Sequence, residues 1–210
     1  GKTENASLVT NLGLTNISFV GDDNVGGVIG QTEQGTTISK CFTTGKIRYT
    51  GLYTGGIVGN HNGTLISCYS LTNFIDCGFY TGGLIGNIAS TGSIESSYAA
   101  GNVNTYAYPG GLTGSSSGTI NNSFWDTQTS GQATSAGGTG KTSAQMRLAS
   151  TFGAAGWDFS NTWKVDICTN RSYPIFKWQK LDTEPVIDSN PIHSEIFSGN
   201  NTKFGVASST

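Results

Sequence analysis

The chain has 210 residues and a formal net charge of −2, and only 11% of its residues are charged. Ordinary soluble domains carry roughly a quarter of charged residues, and the basic patch that nucleic-acid binding requires is missing. The longest apolar runs fall well short of the ~20 residues that span a bilayer. Thirty-one glycines and 10% aromatic residues instead suit an ordered all-β protein with many tight turns.

The N-terminus starts at Gly1, without a Met or a signal peptide, as in a processed secreted protein or a trimmed piece of one. Low charge combined with abundant Ser, Thr and Asn favours an extracellular protein of the cell surface. Six Asn-x-Ser/Thr sequons are candidate glycosylation sites, although turns rich in Asn and Thr also generate such triplets by chance. They start at Asn5, Asn16, Asn62, Asn121, Asn170 and Asn200.

An internal repeat dominates the first 125 residues. Its first landmark is two glycines, two mostly aliphatic residues and a third glycine, and it recurs at intervals of 29, 27 and 28 residues. The four copies are Gly26–Gly30, Gly55–Gly59, Gly82–Gly86 and Gly110–Gly114. Constant spacing of this kind indicates stacked structural units, because one short unit cannot bury its own apolar face.

Two more landmarks follow in each unit. An aliphatic residue precedes an aromatic one by four positions in the segments that end at Phe42, Tyr69, Tyr98 and Phe124. A Gly or Asn then precedes a short apolar strand, at Gly45, Asn73 and Gly101. A fragment around Gly13 and Phe19 has the composition of a partial unit that comes before the first full one.

These landmarks predict a parallel β-solenoid, a right-handed β-helix with coils of about 28 residues. A β-sandwich is the alternative, but it does not explain the regular period. Equivalent side chains should form ladders from coil to coil. The predicted ladders are Val28–Ile57–Leu84–Leu112, Phe42–Tyr69–Tyr98–Phe124 and Cys41–Cys68–Ser97–Ser123.

The repeat resembles the GLUG-motif family of bacterial and archaeal surface proteins. The resemblance rests on the order Gly-Gly-Leu-Ile-Gly-Asn, Gly-Thr-Ile, Cys-Tyr and Gly-x-Val, and it covers roughly residues 11–125 and continues through 126–179. Asn73 and Thr113 depart from the usual Gly and aliphatic residue. The resemblance implies an extracellular adhesin-like β-solenoid and no activity. Peptidase members carry their zinc motif outside the repeats, and this sequence contains no His-Glu-x-x-His.

The stretch Gly137–Thr142, GGTGKT, is close to a phosphate-binding loop. Such a loop needs a glycine at position 135, which is Ser135 here, and a buried strand before it. We therefore interpret the stretch as the start of one short capped helix, with Met146, Leu148 and Phe152 on its buried face. All four tryptophans follow the repeats, which predicts a C-terminal cap over the exposed end of the last coil. They are Trp125, Trp157, Trp163 and Trp178.

Four cysteines are candidates for structural disulfides. Cys41 and Cys68 should lie on adjacent coils at ~4.8 Å, which permits either a disulfide or two stacked free thiols. Cys77 and Cys168 can join the solenoid to its cap. We predict no metal site and no cofactor, since His61 and His193 stand alone and no cysteine pair has zinc-ligand spacing.

A catalytic carboxylate pair is not apparent. Some β-solenoids cleave polysaccharides with clustered carboxylates, but Asp22, Asp23, Asp76 and Glu95 fall at different coil positions. Rows of outward threonines, as in ice-binding solenoids, also look too sparse.

The sequence therefore predicts three segments: solenoid repeats over 1–125, a capping region over 126–180, and an extended tail or linker over 181–210. It favours a non-enzymatic structural or adhesion module of a surface protein, with self-association, neighbouring domains or glycans as partners. The second hypothesis is the subunit of an extracellular filament, in which solenoid ends and tails contact other subunits. A polysaccharide-active enzyme is the third and weakest.

Overall fold

The computed structural model describes residues 1–4, 6–49, 51–166 and 170–179, and residues 1–179 form one compact unit. The predicted tail over 181–210 lies outside the described residues, as do Asn5, Cys168 and Asn200. Side chains are not described for Phe19, Tyr49, Asp76, Cys77 and Tyr106.

The described residues form short strands joined by tight turns. In chain order the strands are β1 (Leu8–Thr10), β2 (Gly13–Gly21), β3 (Val25–Gly26), β4 (Ile29–Gln31), β5 (Thr37–Ser39), β6 (Phe42–Tyr49), β7 (Leu52–Gly55), β8 (Val58–His61), β9 (Thr64–Ile66), β10 (Tyr69–Gly82), β11 (Ile85–Ile88), β12 (Ser93–Glu95), β13 (Tyr98–Ala99), β14 (Val103–Ala107), β15 (Thr113–Ser116), β16 (Thr119–Asn121), β17 (Phe124–Asp126), β18 (Thr139–Lys141), β19 (Trp163–Lys164) and β20 (Ile175–Phe176). The helices are α1 (Thr127–Ser130), α2 (Ser143–Met146) and α3 (Ala149–Gly153), followed by a 3-10 turn at Asn170–Ser172.

Three parallel sheets form the walls of a β-solenoid. Face A joins β4, β8, β11 and β15, and face B joins β1, β5, β9, β12 and β16. Face C joins the longer strands β2, β6 and β10 with β3, β7, β13, β14, β17 and β18. Each strand pairs in parallel with its counterpart one repeat away, whereas β19 and β20 pair antiparallel. The predicted parallel β-solenoid is confirmed.

The predicted ladders are present. The backbone of Val28 donates to Ile57, that of Ile57 to Leu84 and that of Leu84 to Leu112, at 2.9–3.0 Å. Phe42, Tyr69, Tyr98 and Phe124 occupy one register position on face C. The partial first unit also joins the stack, because Val9 pairs with Ile38 and Gly13 with Phe42.

The register on face C differs from the predicted one at a single position. Thr72, not Asn73, pairs with Gly45, which places Phe74 opposite Ile47 and Val103. These three apolar side chains are buried together with Val25 in a small second core. Burial decides this register, because a slip of one residue moves every side chain to the other side of the sheet. The main core, lined by the aliphatic ladders, lies between faces A, B and C.

The last glycine of each Gly-Gly-x-x-Gly landmark is required by close backbone packing. A β-carbon on Gly86 would lie 2.6 Å from the carbonyl carbon of Tyr53 and from the backbone nitrogen of Thr54, in the preceding coil. Real β-carbons do not approach backbone atoms this closely, so only glycine allows the coils to stack here.

The first part of the predicted capping region covers the last coil. The Ser135 hydroxyl accepts the backbone N–H of Thr113 at 2.9 Å, and β18 extends face C beyond β17. The GGTGKT stretch therefore ends in a strand as well as leading into a helix. Its Thr142 forms the predicted capping box with Gln145 at the start of α2.

The second part of this region lies along the side of the solenoid, contrary to the prediction of a cap over its end. Phe152 and Trp157 contact Phe124, Trp163 contacts Tyr98 and Tyr69, and Phe176 and Trp178 contact Phe42. The chain thus runs back along the aromatic ladder and covers its rings, which would otherwise be an apolar stripe on the surface.

Three details of the predicted cap are corrected. The region contains three short helices, not one. Leu148 is 54% exposed because it lies between α2 and α3, while Met146 and Phe152 are buried as predicted. Trp178 is 41% exposed at the edge of the aromatic cluster, whereas Trp125, Trp157 and Trp163 are buried.

Candidate functional site: a tyrosine ridge

Cys41 and Cys68 are free thiols in the core, so of the two alternatives left by the sequence the structure contains the stacked thiols. Burial raises the pKa of the Cys68 thiol well above its usual value, which makes it a poor nucleophile. The predicted partners of the second pair, Cys77 and Cys168, fall outside the described side chains.

At the position of the cysteines and of two serines, the side chain of one coil accepts a backbone N–H from the preceding coil. Ser123 accepts the backbone N–H of Ser97 at 3.1 Å, and Ser97 accepts that of Cys68 at 3.0 Å. The Cys68 sulfur accepts the backbone N–H of Cys41 in the same way. Each of these residues follows a corner residue with a positive φ. Because the chain turns at that corner, the backbone N–H of the residue after it lacks a strand partner and pairs with the side chain of the next coil instead. The third predicted ladder therefore has a structural role, because its hydrogen bonds join successive coils.

His61 is buried where the next coil has Ile88. Its Nδ1 lies 2.9 Å from the Thr32 hydroxyl and its Nε2 lies 3.2 Å from the carbonyl oxygen of Ser93. Thr32 already accepts the backbone N–H of Asn62, so its hydroxyl hydrogen is free to donate to Nδ1. Burial lowers the pKa of His61 from 6.5 to about 4, and the imidazole is neutral at pH 7.

Among the described side chains, the predicted carboxylates are not brought together, and that of Asp76 lies outside this set. Glu95 lies on face B and accepts from the Asn122 amide, while Asp22 and Asp23 lie in the turn between β2 and β3. Asp126 is buried and structural, since it caps α1 and accepts the Tyr173 hydroxyl at 2.6 Å. Within the described ranges, no three His, Cys, Asp or Glu side chains are grouped as metal ligands would be.

The sequons differ in accessibility. Asn16 and Asn121 are exposed, and Asn62 is half-buried and accepts the Thr91 hydroxyl. Asn170 uses its amide to donate to the buried Tyr98 hydroxyl at 3.1 Å, a bond that a glycan on that nitrogen would disrupt. Of the four described sequon asparagines, Asn16 and Asn121 therefore fit a glycan on the folded chain best.

A row of aromatic side chains was missed from the sequence, in which Tyr108 is exposed and Tyr53 and Tyr80 are half-buried. Tyr53, Tyr80 and Tyr108 occupy one position at the corner where face C turns towards face A, two residues before each pair of glycines. Their ring centroids lie 5.5 and 4.7 Å apart, and Tyr80 and Tyr108 stack within 10°. Phe79 and Leu52 pair beside them, and both are exposed. We call these five residues the tyrosine ridge.

The backbone of the ridge is strained. Tyr53, Tyr80 and Tyr108 have φ values of 64°, 54° and 52°, a region that bulky L-residues rarely adopt and that costs roughly 1–3 kcal/mol for each residue. Asn24 occupies the same position in the first coil, with φ of 57°, and asparagine is better suited to it. The recurring Tyr-x-Gly-Gly offset was the sequence signal that could have revealed the row.

The fold thus defines a class of protein, a β-solenoid of repeats with few charged residues, and similarity to known proteins adds to this description. The chain is 42% identical over 83 residues to a Gly-rich membrane protein of Evansella cellulosilytica, a match that covers 36% of this chain and 10% of that protein. It is 36% identical over 93 residues to halomucin of Haloquadratum walsbyi, covering 41% of this chain and 1% of halomucin. These names suggest a protein of the cell surface.

No protein-family model matches the chain, and no solved structure does. In the part of the chain that the structure describes, none of the helices has both the length and the apolarity to cross a bilayer.

Proposed function

We propose that this chain is a non-enzymatic structural and adhesion module of an extracellular surface protein, built from GLUG-type repeats and without a cofactor. The observation that carries the proposal is the extent of the matches. They account for 10% of the Gly-rich membrane protein and 1% of halomucin, as expected for a module repeated within long surface proteins.

The outer surface supports this role. Neutral polar side chains hydrogen-bond from coil to coil, such as Asn87 to Asn60 at 2.9 Å and Ser39 to Thr10 at 3.0 Å. Neutral contacts of this kind are insensitive to salt, whereas exposed ion pairs weaken as ionic strength rises. Such a surface suits a protein that meets an unregulated external medium.

Proteolysis of intact cells that carry the natural protein tests the location. An antibody against residues 1–179 should detect a product that is lost when protease is added outside the cells. Protection until lysis would refute a surface location. Release of reducing sugar from polysaccharides by the purified chain would refute the non-enzymatic part of the proposal.

A filament subunit is the second candidate, favoured by exposed apolar side chains on β1 and β2. Leu8 and Val20 are 68% and 74% exposed, and exposed apolar residues on strands favour pairing with another chain. Light scattering and negative-stain microscopy of the purified protein test this candidate. Long fibres would support it, and a monomer at high concentration would refute it.

A further inference from the structure

We propose that the tyrosine ridge binds a neutral polysaccharide chain that lies along the solenoid axis. The inference rests on the adhesion role proposed above and assigns it a ligand class and a site. It starts from the strained backbone, because strained residues of this kind cluster at functional sites. Asn24 demonstrates that the fold itself does not need tyrosine at this corner.

The side chains have the chemistry that sugars require. Sugar rings combine apolar C–H faces with hydroxyl groups, and tyrosine combines an apolar ring with one hydroxyl. Tyr108 is 60% exposed and Phe79 is 46% exposed, and their rings lie 6.5 Å apart. No hydrogen bond from another described residue reaches the three tyrosine hydroxyls, so they are free to bond to a ligand.

The stacking of the rings determines how a chain can lie. Tyr80 has Tyr53 on one side and Tyr108 on the other, so its faces are largely covered. A ligand therefore meets a row of ring edges and hydroxyls, in which the ring of Tyr108 is the most exposed of the three. A sugar can stack on that ring, and the following sugars can bond to one hydroxyl per coil, since an extended β-linked chain advances by a similar distance per residue.

Charge and area favour a neutral polysaccharide over a protein. The five residues of the tyrosine ridge are uncharged, and Asp22 and Asp23 lie beyond its first coil, where Asp23 accepts the backbone N–H of Leu52. Nearby carboxylates disfavour acidic polysaccharides. The exposed parts of the tyrosine ridge amount to a few hundred Å², below the ~800 Å² per partner of a stable protein interface.

Affinity electrophoresis in gels that contain hydroxyethylcellulose, laminarin, mannan or galactan tests the proposal. At least one of these polysaccharides should retard the purified chain. The variant Tyr53→Asn/Tyr80→Asn/Tyr108→Asn should bind about tenfold more weakly or worse. Its stability should not fall, because asparagine accepts the positive φ. Leu148→Asn is a matched control, since it replaces an exposed apolar residue away from the tyrosine ridge.

The single variant Tyr108→Asn should weaken binding more than Tyr53→Asn, because Tyr108 is 60% exposed whereas Tyr53 is half-buried. Equal retardation of the triple variant and the unchanged chain would overturn the proposal. So would retardation by pectin alone, or by none of the neutral polysaccharides. Capture of a protein that is lost with the triple variant would assign the tyrosine ridge to a protein partner instead. Each of these failures leaves the surface location, tested on cells, unaffected.

Discussion

Acid should destabilise this protein through His61. The imidazole is fully buried, donates through Nε2 to Ser93 and accepts at Nδ1 from Thr32. A proton on Nδ1 would place a charge in the core, where burial disfavours the charged imidazole. The folded protein therefore resists protonation, whereas the unfolded chain accepts a proton at the ordinary pKa of histidine.

The size of the effect follows from the two pKa values. Burial lowers the pKa of His61 from 6.5 to about 4, so its contribution to stability is complete above pH 6.5. That contribution is lost as the pH falls from 6.5 towards 4, because over this range the unfolded state binds the proton that the folded state refuses. At about 1.36 kcal/mol for each pH unit, the loss is about 3 kcal/mol, a large part of the 5–15 kcal/mol typical of natural proteins.

Urea denaturation between pH 7.5 and 4 measures this loss, with His61→Gln as the control. Glutamine keeps an amide donor and acceptor but does not titrate. The difference in unfolding free energy between the unchanged chain and His61→Gln should shrink by about 3 kcal/mol across this range. His193 and the carboxylates are common to both proteins and cancel from the difference.

Parallel stability curves for the two proteins would refute the reasoning, because the acid sensitivity would then come from other groups. Nitrogen chemical shifts of the imidazole provide a second check. They should show a neutral ring with its proton on Nε2 at pH 6, and a charged ring at that pH would contradict the assignment.

Three further predictions concern the interior. Cys68→Ser should change the unfolding free energy by less than about 1 kcal/mol. Cys68→Ala should lower it by about 1–3 kcal/mol, because this variant leaves the backbone N–H of Cys41 unpaired. Equal losses for the two variants in urea denaturation would contradict this prediction. Tyr98→Phe should lower the unfolding free energy by about 1–3 kcal/mol, since the Pro174 carbonyl loses a donor at 2.7 Å. Tyr98→Ala should lower it by about 3–5 kcal/mol. Calorimetry in which Tyr98→Phe is the less stable of the two variants would argue against the packing described. Gly86→Ala should cost about 3 kcal/mol or more because its β-carbon meets backbone, and a thermal midpoint close to that of the unchanged chain would exclude the clash.

The repeat made much of the fold predictable from the sequence. In a parallel stack, each residue contacts the residue one period away, so the spacing of the glycine landmarks already specified which aliphatic and aromatic side chains form ladders. The capping box at Thr142 was also local, since its contacts reach only to Gln145. The one-residue difference at Thr72 arose because Asn73 looked like a substitute for glycine, whereas burial of Phe74 decided the register.

Contacts without a fixed period could be decided only by the tertiary structure. Nothing in the repeat says whether the tryptophans close the end of the last coil or lie along the rings of Phe42, Tyr69 and Tyr98, because these contacts join residues of unrelated spacing. The tyrosine ridge was hidden for a different reason. Its tyrosines recur at a fixed offset, but only the turned backbone, with positive φ at each tyrosine, places the three rings at the surface, with Tyr53 and Tyr80 half-buried. Period and composition determined the solenoid, and the direction of the chain at its corners determined which side chains a ligand can reach.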